Sequence, residues 1–194
     1  MVRRELLLII LLLVVIGILA MAIQFFKPEI VEADARLFVL EDLKTKYPGA
    51  DVGIMTVSEK TNAAGSKYFE VKARVTKNGD GPCPERSHIY YNYPAQNFIA
   101  QPPDVITKDC QVCTEGTCTI AFAEEAIIAS HTFEGTDIIQ SYIGDNPNAI
   151  PYVDKGRESW NVSWISQDAE MYYVAEIHIN GAVLNVSMVE TTGS

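Results

Sequence analysis

The hydrophobic positions of this chain fall into three patterns, an unbroken run, a helical spacing and a strict alternation, and each predicts a different element. The run is Leu6 to Ile23, preceded by Arg3 and Arg4 and closed by Phe25, Phe26, Lys27 and Pro28. Eighteen uncharged residues rise about 27 Å as a helix, close to one hydrocarbon core, so the run predicts a single transmembrane helix. The arginines lie on the short side, and Glu29, Glu32 and Asp34 follow the run. The positive-inside bias then predicts residues 1–28 as a cytoplasmic stub and membrane anchor in contact with lipid through Leu6–Ile23, with residues 29–194 as an extracytoplasmic domain at the cell membrane. A secretory signal is the other reading, because Ala20-Met21-Ala22 fits a small-x-small cleavage site, although signal cores run shorter than this segment. Both readings export the same domain.

Helical spacing begins at Glu29 and continues to Tyr47, with Val31, Ala35, Phe38, Leu43 and Tyr47 apolar among charges and Pro48-Gly49 as the stop. Alternation follows. Asp51 to Ser58 predicts one strand, and Lys67 to Lys77 a second in which Phe69, Val71, Ala73 and Val75 share a buried face. A third, aromatic strand is predicted at His88 to Tyr93, then a loop from Pro94 to Pro103 and a hairpin around Thr114 to Thr117. Glu124 to Ile143 reads as helix with a break at Gly135. The end of the chain predicts a three-stranded meander: Trp160 to Ile165, Met171 to Ile179 and Ala182 to Val189, the last two joined by Asn180-Gly181, a turn expected to hold both residues at positive φ. Trp160, Val162, Trp164, Ala182, Leu184, Val186 and Met188 are expected inside.

Helix plus antiparallel strands therefore occurs twice, at about 29–77 and 124–190, with the cysteine-bearing region between them, which gives subunits 29–123 and 124–190. The predicted fold class is α+β, a transmembrane helix followed by two such units. The first copy, Tyr47-Pro48-Gly49-Ala50 leading to Tyr68-Phe69-Glu70-Val71, and the second, Tyr172-Tyr173-Val174-Ala175-Glu176-Ile177 leading to Asn180-Gly181-Ala182-Val183, resemble the helix, Tyr-x-Val and Gly-x-Val hairpin of PepSY and related cystatin-like domains. That resemblance implies a non-enzymatic extracytoplasmic module. Glu5, the aliphatic segment containing Gly17-Ile18-Leu19-Ala20, and Pro28 are similar to the N-terminal helix of type IV pilins, which implies a filament subunit as the alternative.

Charge narrows the partners. Leaving out Arg3, Arg4, Lys27 and Glu5, the chain past residue 27 keeps 12 basic and 24 acidic residues of the total 15 and 25, a net charge near −12. Such a surface repels phosphate backbones, so nucleic acid is excluded, and the expected partner is an unknown protein at the cell surface. Cys83, Cys110, Cys113 and Cys118 form an even set in an exported domain, which favours disulfides. The preferred pairing joins Cys113 to Cys118 across a short turn and Cys83 to Cys110 across the Pro-rich loop. A redox pair in Cys110-Gln111-Val112-Cys113 and a four-thiolate zinc site are the competing readings. His88, His131 and His178 do not converge on any motif. No nucleophile elbow, phosphate loop or dinucleotide fingerprint occurs, so neither catalytic residues nor a cofactor is expected. Tyr90, Tyr91, Tyr93 and Phe98 are the candidate partner surface. The sequons at Asn161 and Asn185 are candidate glycosylation sites, and strand alternation turns both outward. The expected function is a membrane-anchored module that binds rather than catalyses.

Overall fold

The computed structural model describes residues 11–19, 21, 30–96, 101–113 and 118–191. Two compact units divide the chain, Met1–Val31 and Glu32–Ser194. In the first, residues 11–19 and 21 are helical, and most of their apolar side chains are more than half exposed. The predicted anchor is corrected here. Among the described residues no helix is long and apolar enough to cross a membrane. Residues 11–19 rise only about 13 Å as a helix, against about 30 Å of hydrocarbon, and the remaining positions of Leu6–Ile23 lie outside the described residues. The single-pass topology and the membrane localisation with a cytoplasmic N-terminus lose their support with it.

The second unit is α+β, with two antiparallel four-stranded sheets. Helix α1 (Glu32–Lys46) carries Glu32 and Asp34 in its first turn and Lys44 and Lys46 in its last, each sign matched to the helix dipole. Its buried stripe is Ala35, Val39 and Leu43, all at 0% exposure and four residues apart. Val31 and Phe38, expected inside, are 45% and 47% exposed. Phe38 lies one position off the stripe, and its ring meets Tyr93 at 5.2 Å between centroids.

Strands β1 (Asp51–Thr61), β2 (Lys67–Lys77), β3 (Glu85–Tyr93) and β4 (Asp104–Thr107) pair in that order. On β2 the predicted alternation is realised, with Phe69, Val71, Ala73 and Val75 buried on the side that receives α1. The opposite side bears Thr76, Arg86 and His88, and these polar residues are also buried.

Helices α2 (Ala123–Thr132) and α3 (Asp137–Asp145) occupy the segment read as a helix with a break at Gly135, and Gly135 at φ +90° turns the chain between them. Strands β5 (Ile150–Lys155), β6 (Ser159–Ile165), β7 (Met171–His178) and β8 (Val183–Glu190) form the second sheet in sequence order. Its core joins Trp160, Val162, Trp164, Ala175 and Ile177 to Ala126, Ile127 and Ala129 of α2 and Ile139 and Tyr142 of α3. Trp164 is fully buried, and its indole N–H donates to the Ser130 hydroxyl at 2.9 Å.

The β7–β8 turn departs from expectation. Only Gly181 has positive φ, at 87°, and its N–H donates to the His178 carbonyl, while the N–H of His178 donates to the Ala182 carbonyl. This is a three-residue turn closed by a left-handed glycine rather than a two-residue one. Further on, the β7–β8 pairing shifts register between Glu176 and Ile177, so Val183 rather than Leu184 stands opposite Ile177. The shift leaves Leu184 53% exposed; Met188, opposite Tyr173 in the regularly paired stretch, is 51% exposed, so neither is core.

The four sheet edges are unlike one another. β1 is interrupted by a register shift near Ile54 and carries Glu59 and Lys60. β4 is four residues long. β5 contains Pro151, Asp154 and Lys155. β8 is eight residues long, with neither proline nor basic residue and a single acid, Glu190.

Candidate functional site

Chemistry-bearing side chains gather where α2 starts, between the two sheets. The helix begins after Phe122, and Glu125 reaches back so that its Oε2 accepts from the backbone N–H of Ala121 at 2.7 Å and of Phe122 at 2.9 Å. Glu124 points instead to the polar side of the first sheet. Its Oε1 accepts from the Thr76 hydroxyl at 2.7 Å and its Oε2 from Arg86 Nη1 at 2.8 Å. Both members of the ion pair are buried, with side chains 7% and 8% exposed. The guanidinium also lies 3.7 Å over the Phe122 ring, and its Nε donates to His88 Nε2 at 3.2 Å.

These surroundings move the acidities apart. Burial raises the Glu124 carboxyl, but bonds from Thr76 and Arg86 outweigh it and hold the acid below its usual value. Glu125 goes the other way: burial lifts it, and the two backbone N–H bonds and Arg86 only partly oppose this. His88 is lowered first by burial and then by Lys72 and Arg86. With Nε2 accepting from Arg86, the neutral ring carries its proton on Nδ1, an atom with no hydrogen-bond partner among the described residues. A carboxylate pair with opposite shifts has the form of an acid–base couple. Here both Glu124 oxygens and the Glu125 Oε2 are engaged in holding an element in place, and the cluster acts as a clamp between sheet and helix.

Next to the clamp, Cys83 pairs with Cys110 and Cys113 with Cys118, with Cα separations of 4.6 and 4.8 Å. His131, on the last turn of α2, closes on the first bridge. Its Nε2 is 3.5 Å from Cys110 Sγ and its Nδ1 2.9 Å from the Ile127 carbonyl. Burial lowers the imidazole's pKa, only partly offset by that carbonyl. The second bridge sits under the β7–β8 turn, where Gly181 passes so near that a Cβ there would be 2.5 Å from Cys118 Sγ. Ile120 joins the same region to the second sheet, its N–H donating to the Ile179 carbonyl and its carbonyl accepting from the Trp160 indole. The hairpin expected around Thr114 to Thr117 lies outside the described residues.

The tyrosines chosen as a partner surface are mostly occupied within the fold. Tyr91 donates to Asp42 Oδ2 at 2.6 Å, and burial together with this carboxylate pushes the phenol well above its usual value. For Asp42 the burial effect upward is outweighed by bonds from Lys46 and Tyr91, which keep it low. Tyr93 stacks on Phe38, and Tyr90 donates to Asp104. Phe98 lies outside the described residues. Asn161 and Asn185 lie in one row across the second sheet with Glu176 between them, Asn185 exposed and Asn161 half-buried. These contacts were not legible in the sequence, since Arg86 and Glu124 sit 38 positions apart and Cys110 and His131 21 apart, and only the two ends of α2 bring each pair together. The one signal was Phe122 to Glu125, the lead-in of a helix whose first turn is acidic. Comparison with known proteins finds no protein-family profile, no curated protein and no solved structure that matches the chain.

Proposed function

We propose that this protein is a non-catalytic binding module that receives an extended strand of a partner protein along the edge of β8, which has no further strand beside it among the described residues. The observation that carries the reading is the contrast among the edges. Exposed edge strands present unpaired N–H and C=O groups that template pairing, and proteins blunt them with bulges, short length, proline or lysine. Three edges here have such a device. β8 has only the register shift near its start, after which Asn185 to Glu190 pair regularly with β7. Helix α2 packs on β5, β6 and β7, and on β8 Val183 and Val186 pack against the core while Leu184 and Met188 stay exposed. Leu184 and Met188 then offer side-chain contact beside the backbone edge, the combination used in strand addition. The buried clamp and the two bridges suit a scaffold that must hold such an edge still. The net negative charge favours a strand with basic flanks.

The test is a titration of the isotope-labelled chain with a peptide of sequence Val183–Glu190 carrying lysines at both ends, followed by amide shifts. The reading expects shifts concentrated on β7 and β8. Two further peptides, N-methylated on alternate residues in the two registers, discriminate strand pairing from general stickiness. One must lose binding and the other must keep it, since an added strand donates from one edge only. Equal loss in both, or shifts spread over α1, contradicts the reading.

A further inference from the structure

We propose that reduction of the Cys83–Cys110 bridge converts it, with His131, into a Cys2His site for Zn2+. The three donor atoms, two sulfurs and the imidazole Nε2, already lie within 4.8 Å of one another. Zinc binds thiolate at about 2.3 Å and imidazole nitrogen at about 2.0–2.1 Å, so a tetrahedral centre needs sulfur and nitrogen about 3.5 Å apart and its two sulfurs about 3.8 Å apart. Cys110 Sγ and His131 Nε2 stand at 3.5 Å now. Two distances must change: the sulfurs separate once their bond is broken, and the freed Cys83 Sγ, now within 4.8 Å of the imidazole, closes to about 3.5 Å from it.

An independent feature of His131 points the same way. Zinc-binding histidines hold their second ring nitrogen on a carbonyl or carboxylate, which fixes the tautomer and aims the other nitrogen at the metal. His131 Nδ1 is 2.9 Å from the Ile127 carbonyl, so the neutral ring keeps its proton there and turns the lone pair of Nε2 toward the bridge. The ring is further fixed edge-on to Trp164 at 5.5 Å. Three separate segments supply the ligands: the β2–β3 loop, the segment after β4, and α2. Both cysteines are half-buried, while the histidine is 6% exposed.

The chemistry balances with a dithiol as reductant. Its first thiolate attacks one sulfur of the bridge, the S–S bond breaks, and a mixed disulfide forms. Its second thiol then closes the reductant's own disulfide, and two protons and two electrons end on Cys83 and Cys110 as thiols. Zn2+ displaces those two protons to solvent and takes the lone pair of His131 without deprotonating it. The resulting centre of one dication and two thiolates is neutral, with a fourth position left for water. Cys113 and Cys118 take no part.

The experiment titrates Zn2+ into the whole chain, oxidised and dithiol-reduced, against a competing chelator indicator. The expected result is one ion per reduced chain and none per oxidised chain. Cys113→Ser/Cys118→Ser retains the site, and His131→Ala weakens it by more than about tenfold. No zinc on the reduced chain, loss of zinc in the Cys113/Cys118 variant, or affinity indifferent to His131 overturns the proposal. Because His131→Ala disturbs packing on Trp164, Co2+ absorption of the unmutated reduced protein gives a second readout. Tetrahedral ligand-field bands with sulfur-to-metal charge transfer are expected, and an octahedral spectrum overturns the site.

Discussion

Arg86 and Glu124 show what a buried charge does when its partner is removed. Taking one member of a buried pair away typically costs about 3–5 kcal/mol, whereas replacing both with apolar residues of similar volume is near neutral. Glu124→Gln is therefore expected to lower stability by several kcal/mol in urea unfolding, and Arg86→Met/Glu124→Leu to recover most of the loss. The same cluster sets the acid response. His88 and His131 have folded values below the ordinary 6.5, so the folded state binds fewer protons, and stability complete above pH 6.5 declines as pH falls below it. Glu124, also lowered, contributes above its ordinary 4.5 and loses that contribution as pH falls through its lower folded value. Glu125 is raised and works against this, favouring the fold at low pH and ceasing to as pH rises through its folded value. The urea midpoint should fall from pH 7 toward 5 and again below 4.5. His88→Phe should flatten the first step, and an unchanged step would separate the decline from His88. Gly181→Ala combines positive φ with a Cβ 2.5 Å from Cys118 Sγ, and should cost about 1–3 kcal/mol in thermal unfolding.

Among the elements, the bridges and β8 make separate claims. Closing a loop of 27 residues against one of 5 gives about 3.5 and about 2 kcal/mol in the chain-entropy picture, so replacing Cys83 and Cys110 by alanine should destabilise more than replacing Cys113 and Cys118. Guanidinium unfolding of the two double variants compares them directly. Met188→Lys, on an exposed position, should leave stability within about 0.5 kcal/mol and blunt the edge against strand addition. The elements differ in how far their sequence announces them. β2 and β6 alternate because one face is dry, and Trp160, Val162 and Trp164 are buried as that pattern implies. β4 and β5 were hidden, the first by its four-residue length and the second by Pro151, a residue suited to the edge it occupies. Leu184 was misplaced because a one-residue register shift reverses what alternation predicts, and nothing local marks it.

For the molecule as a whole, α2 is what joins the parts. Glu124 in its first turn fastens the first sheet, its apolar side fills the second sheet's core, and its last turn meets the Cys83–Cys110 bridge. None of this is visible in periodicity, because contacts between Arg86, Glu124, His131 and Cys110 depend on how two sheets share one helix. The net charge, by contrast, is legible at once and argues against nucleic acid. The apolar run near the N-terminus shows the opposite hazard: composition alone implied a spanning helix, and the described residues contain none. What remains is a cross-linked two-sheet scaffold whose β8 edge pairs regularly from Asn185 to Glu190 and holds neither proline nor basic residue. The most direct measurement is of intermolecular nuclear Overhauser effects between the labelled chain and the bound Val183–Glu190 peptide. Cross-strand peaks between the peptide backbone and Asn185 to Glu190 are predicted. A bound peptide whose peaks fall on α1, on β5 or on the first sheet would contradict the account.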